Sequence, residues 1–351
     1  MRFFDLHIDT LAKAIEPDDG GAAAAAKGER VAADLLLGSE KTAVDWLRLE
    51  QAHACGAVWA ACDDEHRGGG VSAARVLRML IAGNELAARG GSRLRLILSA
   101  ADLEAAMCAT PVASETEQGP PARPGAHPIA MLLAVEGAHS LAGSLEMLSA
   151  FHALGLRLLT LTWNHANPFG AGCYAPPEED EGLTLLGREL LARADALGIV
   201  IDLAHASPKT FATTLEQLKA AGRPPLVSHT ACAGLRAHPR NLTDDQLRAI
   251  AEAGGVAGIT FCAPFLAERD PDRDAVIAHI RHALSVAGSD AVAIGTDFDG
   301  APLPAGISGV QDMPAFFLAL ETAGLSRDQV EKIAWKNALR VLAAGLQGGT
   351  R

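Results

Sequence analysis

The sequence predicts an α/β barrel, in which parallel strands alternate with helices, and three observations carry that expectation. Short apolar runs recur along the 351 residues, several of them separated by amphipathic helical stretches. Helix-start signals stand where strand-to-helix connections are needed. His7, Asp9, Glu136, His205, His229 and Asp297 each close one of the runs, and the C-terminal ends of barrel strands are where such folds keep their chemistry.

Eight runs read as strands: residues 2–9, 56–62, 129–136, 156–163, 198–205, 225–229, 255–261 and 291–297. Their near-continuous hydrophobicity is that of parallel strands buried on both faces. A ninth run, 94–98, is expected outside the barrel. Ser207-Pro208 follows the fifth run directly and supplies an N-cap with proline at the first helical position. Thr243 with Gln246, and Ser326 with Gln329, fit the capping box, and Gly254-Gly255 ends the first of those helices. Residues 17–30, with five alanines after Asp-Asp-Gly-Gly, and 110–128, rich in Pro and Gly, read as surface excursions. No fixed-period repeat and no linker divides the chain, so residues 1–351 read as one domain, a size that a barrel with insertions reaches.

Composition narrows the function classes. With 49% hydrophobic but only 4% aromatic residues, the chain suits a large helix-and-strand core. A net charge of -12 without clustered Lys or Arg argues against a nucleic-acid partner. No apolar stretch reaches roughly 18 residues, so no membrane span is expected. The opening MRFFDLHIDT lacks the apolar core of a secretion signal, and cleavage there would remove His7 and Asp9. A cytoplasmic protein is the expectation. Six cysteines without a C-x-x-C pair read as reduced thiols, Cys173 among them in a loop.

In Asp5-Leu6-His7-Ile8-Asp9 the polar residues alternate, so strand pleating places all three on one face, with Leu6 and Ile8 on the other. Buried imidazole and carboxylate groups need compensation, which a divalent cation supplies. Glu136 ends an almost wholly apolar strand and carries two oxygens able to bridge two cations. His205 and His229 end successive strands with nitrogen donors that zinc accepts readily. Asp297 adds a carboxylate free to handle protons, although Asp299 has the same parity and the spacing does not separate them.

The ordered motifs DLHID, AVEGAHS, IDLAHAS, VSHT, HPRN and GTDFDG resemble those of the membrane (renal) dipeptidase family, peptidase family M19, in a soluble bacterial-type form. Residues 331–342 resemble the family's C-terminal helix. The resemblance implies a (β/α)8 TIM barrel of the metal-dependent hydrolase, amidohydrolase-like type. It implies two zinc ions, one held by His7, Asp9 and Glu136 and the other by Glu136, His205 and His229. Arg240 would take the substrate carboxylate through its planar fork, and Asp297 would be the acid/base. Asp5 and His139 are candidates to orient the ligands from behind. Where animal members carry a substrate-binding His, the chain reads Leu161-Thr162-Trp163-Asn164-His165-Ala166-Asn167. Without a gap Trp163 stands there; with a shift, Asn164 or the candidate His165 does.

These assignments imply a zinc-dependent dipeptidase in which a hydroxide shared by the cations attacks the scissile carbonyl. A D-residue at the C-terminal position of the dipeptide, and a homodimer as in many family members, go with that expectation. The nearest rival is another binuclear amidohydrolase acting on lactones, N-acyl amino acids or phosphotriesters. Many of those bridge their metals with a carboxylated lysine, and none of the lysines here lies on a middle strand. A metal-free scaffold or binding barrel is the remaining alternative.

Overall fold

Nine strands form one parallel sheet in the computed structural model, which describes residues 1–15, 35–109 and 127–348. The strands are β1 (Phe3–Ile8), β2 (Ala54–Cys62), β3 (Leu94–Leu96), β4 (Ile129–Glu136), β5 (Leu156–Thr160), β6 (Val200–Asp202), β7 (Leu226–Thr230), β8 (Val256–Ile259) and β9 (Val292–Ile294). Eight follow the order β1-β2-β4-β5-β6-β7-β8-β9. The ring closes at its rim, where Ile8 bridges Phe298, the Asp9 N–H donates to the Phe298 carbonyl (2.8 Å) and the Asp297 N–H to that of His7 (3.0 Å). This is the expected (β/α)8 architecture. β3 lies off the ring, beside Ile129–Met131 of β4, while β5 takes Leu133–Glu136. The excursions expected at 17–30 and 110–128 lie outside the described residues, apart from 127 and 128.

Strand parity sorts the core into two layers. From β4, Ala130, Leu132 and Ala134 join Phe4, Leu6, Val58, Leu158, Val200, Leu226, Val256 and Ala293 in one cluster, which residues of eight different strands share only inside a barrel. Met131, Leu133 and Val135 face outward against helix residues such as Met79 and Leu80. Glu136 continues the inward row. The paired residues Cys62, Glu136, Thr160 and Asp202 then stand side by side along the C-terminal rim.

The alternation expected in β1 is interrupted. Leu6 belongs to the inner cluster and Ile8 to the outer one, because a register irregularity between Asp5 and Ile8 resets the parity. His7 turns inward by that irregularity rather than by strict pleating with Asp5. A second irregularity lies between Val227 and Thr230. There the Ser228 carbonyl occupies space that only Gly258 and Gly295 leave, since a Cβ on either would strike it.

The helix signals coincide with helix starts. The Ser207 hydroxyl accepts from the Thr210 N–H (3.1 Å) with Pro208 in the first turn of Pro208–Ala220. Both capping boxes form, at Thr243/Gln246 and Ser326/Gln329, and Gly254 follows the first of these helices at φ +70°. The C-terminal run passes through a π turn, Lys332–Lys336, before Asn337–Gly345. Buried Asn337 donates from there to the carbonyls of Ser289 (2.7 Å) and Val292 (2.8 Å), tying the helix to β9.

Candidate functional site

The barrel rim gathers five donors at the C-terminal ends of β1, β4, β6 and β7, three of them imidazoles around one Glu136 oxygen. Glu136 Oε1 lies 2.8 Å from His205 Nε2, 3.4 Å from His229 Nε2 and 3.7 Å from His7 Nε2. His7 Nε2 is 3.4 Å from Asp9 Oδ2, and His205 and His229 face each other at 3.1 Å between their Nε2 atoms. All five are buried. Asp297 joins His7 and Asp9 on one side, so Glu136 stands between that group and the two other histidines.

Which nitrogen carries the proton follows from the groups behind the rings. Ser228 donates its one hydroxyl proton to Asp202 Oδ2 (2.6 Å), so toward His229 Nδ1 (2.8 Å) the same oxygen acts only as an acceptor. His229 therefore carries hydrogen on Nδ1 and turns a bare Nε2 to the centre. Asp202 also accepts from Thr160 Oγ1 (2.7 Å) and from the N–H groups of Ala204 (2.9 Å) and Ser228 (2.8 Å). Asn164 Oδ1 accepts from His205 Nδ1 (3.2 Å) with the same result. The lone pairs of His205 and His229 thus converge on Glu136 without hydrogens between them, and among the described residues His7 Nε2 and Asp9 Oδ1 have no hydrogen-bond partner. That arrangement demands positive charge at its centre, and nitrogen and carboxylate oxygen are ligands suited to zinc.

The electrostatics express the same demand. Burial pushes the His7 imidazole down, but the carboxylates of Asp9, Glu136 and Asp297 outweigh it and hold the group up at about 10. Burial raises Glu136, and the His7 and His205 charges more than reverse this, leaving it far below the usual carboxylate range. His205 is driven down to about 4 by burial and by the Arg240 charge, and His229 falls well below its ordinary value for like reasons. Asp297 is raised well above the carboxylate range by burial and by the neighbouring Asp9. A cation bound there replaces the proton that His7 otherwise retains.

The remaining sequence candidates separate. Asp297 faces the cluster, whereas Asp299 binds Thr10 Oγ1 (2.7 Å) and the Ala43 N–H (2.7 Å); this resolves the choice that spacing left open. Arg240 is buried, stacks over Phe265 (5.4 Å) and donates to the His229 carbonyl (3.3 Å), with Nε unpartnered. It lines a cavity of about 430 Å³ together with Glu136, Trp163, Asn164, Tyr174 and Asp297. His165 is not among the lining residues; its exposed ring turns to Glu65. Asn164, one residue earlier, is the group brought to the cluster. Asp5 touches no ligand ring and accepts from the Thr296 N–H (2.9 Å), Thr296 Oγ1 (2.6 Å) and the His7 N–H (3.2 Å), fixing backbone next to His7 and Asp297. His139 is bound to the Asp63 carbonyl (3.0 Å), away from the five donors.

Asp202 and Ser228 were not predicted from the sequence, and Asn164 was expected at the site only as a substrate-side alternative to His165, not as the partner of His205. Asp202 and Ser228 lie inside the motifs IDLAHAS and VSHT, but nothing in those motifs marks them as the groups behind the His229 ring. Two candidate positions also carry backbone strain: His205 (φ 63°) and Asp297 (φ 65°) lie in the left-handed region, as does Asp299 (φ 70°). At Gly300 a Cβ would fall on the carboxylates of Asp9 and Asp297 and force them to shift.

A parallel barrel with buried imidazoles and carboxylates converging at its C-terminal rim defines the class of metal-dependent barrel hydrolases. The family model for membrane dipeptidase (peptidase family M19) matches residues 1–347. The chain belongs to that family and is a metallo-dipeptidase, a hydrolase of peptide bonds that works with a metal ion. An uncharacterized protein in the pqqA 5' region of Klebsiella pneumoniae is 36% identical over 267 residues, covering 74% of this chain and 91% of the relative. An uncharacterized dipeptidase of Schizosaccharomyces pombe is 34% identical over 217 residues, 61% of this chain and only 52% of that protein's length. A metallopeptidase from Rhodobacter sphaeroides, solved with a phosphinate mimic of the dipeptide L-Ala-D-Ala, shares the fold at TM-score 0.82 and 24% identity, over 98% of this chain and 99% of its own. An amidohydrolase from Pseudomonas aeruginosa aligns at TM-score 0.71 and 26% identity, over 86% and 92% of the two chains.

Proposed function

We propose that the enzyme binds two zinc ions and cleaves dipeptides that carry a free C-terminal carboxylate, with a D-residue accepted at that end. The observation that carries this reading is the placement of Arg240, a buried guanidinium with a free Nε–H, in one cavity with the bare donors around Glu136. His7, Asp9 and Glu136 would hold one ion, and Glu136, His205 and His229 the other. Zinc bound there supplies Lewis acidity, polarising the scissile carbonyl and acidifying the attacking water.

The chain's own groups do the rest. Arg240 takes the substrate carboxylate and thereby measures the distance from chain end to scissile bond, which favours two residues over longer peptides. Trp163, Tyr174 and Phe265 offer apolar walls to the side chains. Asp297, facing the cluster beside His7 and Asp9, takes the proton from the attacking water and passes it to the leaving amine. Acceptance of a D-residue is suggested by the L-Ala-D-Ala mimic bound to the Rhodobacter sphaeroides protein. Among the described residues no helix is long and apolar enough to cross a membrane; cytoplasmic residence is proposed on the six cysteines, all free.

A panel of L-L and L-D dipeptides, assayed before and after chelation and again after zinc is restored, tests the proposal. Chelator-sensitive cleavage of L-D dipeptides is expected, with their C-terminal amides cleaved poorly. Activity confined to esters, lactones or phosphotriesters would overturn the substrate class.

A further inference from the structure

Outside the rim cluster, a second group of metal-ligating side chains lies where two loops meet. Glu65 belongs to the short turn Glu65–Arg67 after β2, His66 is its neighbour, and His165 comes from the loop after β5, 100 residues away. One donor atom from each lies within 4.8 Å of the other two. The Glu65 side chain is only 8% exposed although the two imidazoles are open to solvent. Its carboxylate is already anchored: the His165 backbone N–H donates to both oxygens (3.1 and 3.2 Å), and His165 Nδ1 contacts Oε1. The His66 and His165 rings stand 5.3 Å apart, tilted by 52°.

We infer that Glu65, His66 and His165 form a further cation site, separate from the buried centre, that takes a borderline transition-metal ion such as zinc. Two imidazoles and one carboxylate are the donor set of zinc and its neighbours; magnesium and calcium prefer oxygen throughout. The carboxylate is held in place by backbone before any ion arrives, so little ordering is left for it to undergo on binding. Solvent access to both rings allows direct loading and leaves a coordination position for water. The ion would join the β2 and β5 loops next to Asn164, the residue that holds His205, so occupancy of this loop site is placed to be felt at the buried centre.

The test counts metal. Holoenzyme freed of loose ions by gel filtration is dialysed against low micromolar free zinc, and zinc per chain is measured for wild type, His66→Ala and His165→Ala. Wild type is expected to bind one ion more than the buried centre holds. Each variant should weaken that extra ion by more than the 10- to 100-fold typical of losing an outer-shell partner, roughly, and millimolar magnesium should leave it in place. Because His66 is exposed, His66→Ala gives a readout that a folding defect does not obscure. No additional ion in wild type, an additional ion retained by both variants, or its displacement by magnesium would each overturn the inference.

Discussion

Removing the Ser228 hydroxyl probes whether the Asp202–Ser228–His229 chain sets the ligand tautomer. Ser228→Ala deletes a group that donates to Asp202 at 2.6 Å and accepts from His229 Nδ1 at 2.8 Å, both buried. Asp202 keeps three other donors, so its loss is small, whereas His229 Nδ1–H is left without its acceptor. At about 1–3 kcal/mol for an unsatisfied buried group, stability should fall by about 2–4 kcal/mol in all. With the ring free to rotate or change tautomer, zinc affinity should drop about 10- to 100-fold, or ~1.4–2.7 kcal/mol. Competition against a chelating indicator reads the affinity, and urea unfolding reads the stability. Asp202→Asn should move affinity the same way, and the double variant should lose less than the sum, by about 0.5–3 kcal/mol, because both act through one ring. A folded Ser228→Ala enzyme that binds zinc as tightly as wild type would refute the argument, as would strictly additive losses.

Other substitutions separate the proposed roles. Asp297→Asn should retain bound metal by elemental analysis while turnover falls about 10²- to 10⁴-fold; undiminished turnover would remove Asp297 from proton transfer. Arg240→Ala should raise the barrier for free dipeptides by about 2–5 kcal/mol, measured as kcat/KM, and leave C-terminally amidated dipeptides nearly unaffected; equal losses on both would show that Arg240 does not read the carboxylate. Gly300→Ala should weaken or remove the ion that His7, Asp9 and Glu136 would hold, in a chain that still folds, because the new methyl displaces the Asp9 carboxylate; metal counting after dialysis and circular dichroism check the two halves of that statement.

Barrel and donors were legible for a simple reason: parallel strands are buried on both faces, so each appears as an apolar run and its polar terminus stands out. Ile129–Glu136 is bounded at both ends by such contrast, and the 94–98 run, expected outside the barrel, supplies β3 beside the ring. Strand ends were overestimated elsewhere. The run at 198–205 pairs only over Val200–Asp202, since the backbone then leaves the ladder to reach the left-handed His205. Parity in β1 failed because a register irregularity is invisible to a two-residue period. The orienting residues were hidden because a hydrogen-bond partner is chosen by folded proximity. Nothing in the text of a sequence says that Asn164 faces His205 while His165 faces Glu65.

The left-handed backbone at His205, Asp297 and Asp299 sets stability against activity. Each such residue costs about 1–3 kcal/mol, although Asp bears the conformation better than His, and a domain of this kind is stable by only about 5–15 kcal/mol in total. Glycine at these positions would relax the chain and raise its melting temperature, while deleting the proposed metal donor, the proposed proton carrier and a loop anchor in turn. On the proposed roles, a library screened for heat resistance alone would be drawn to the residues that turnover depends on, and the enzyme's tolerance of heat would have a ceiling set by its own chemistry.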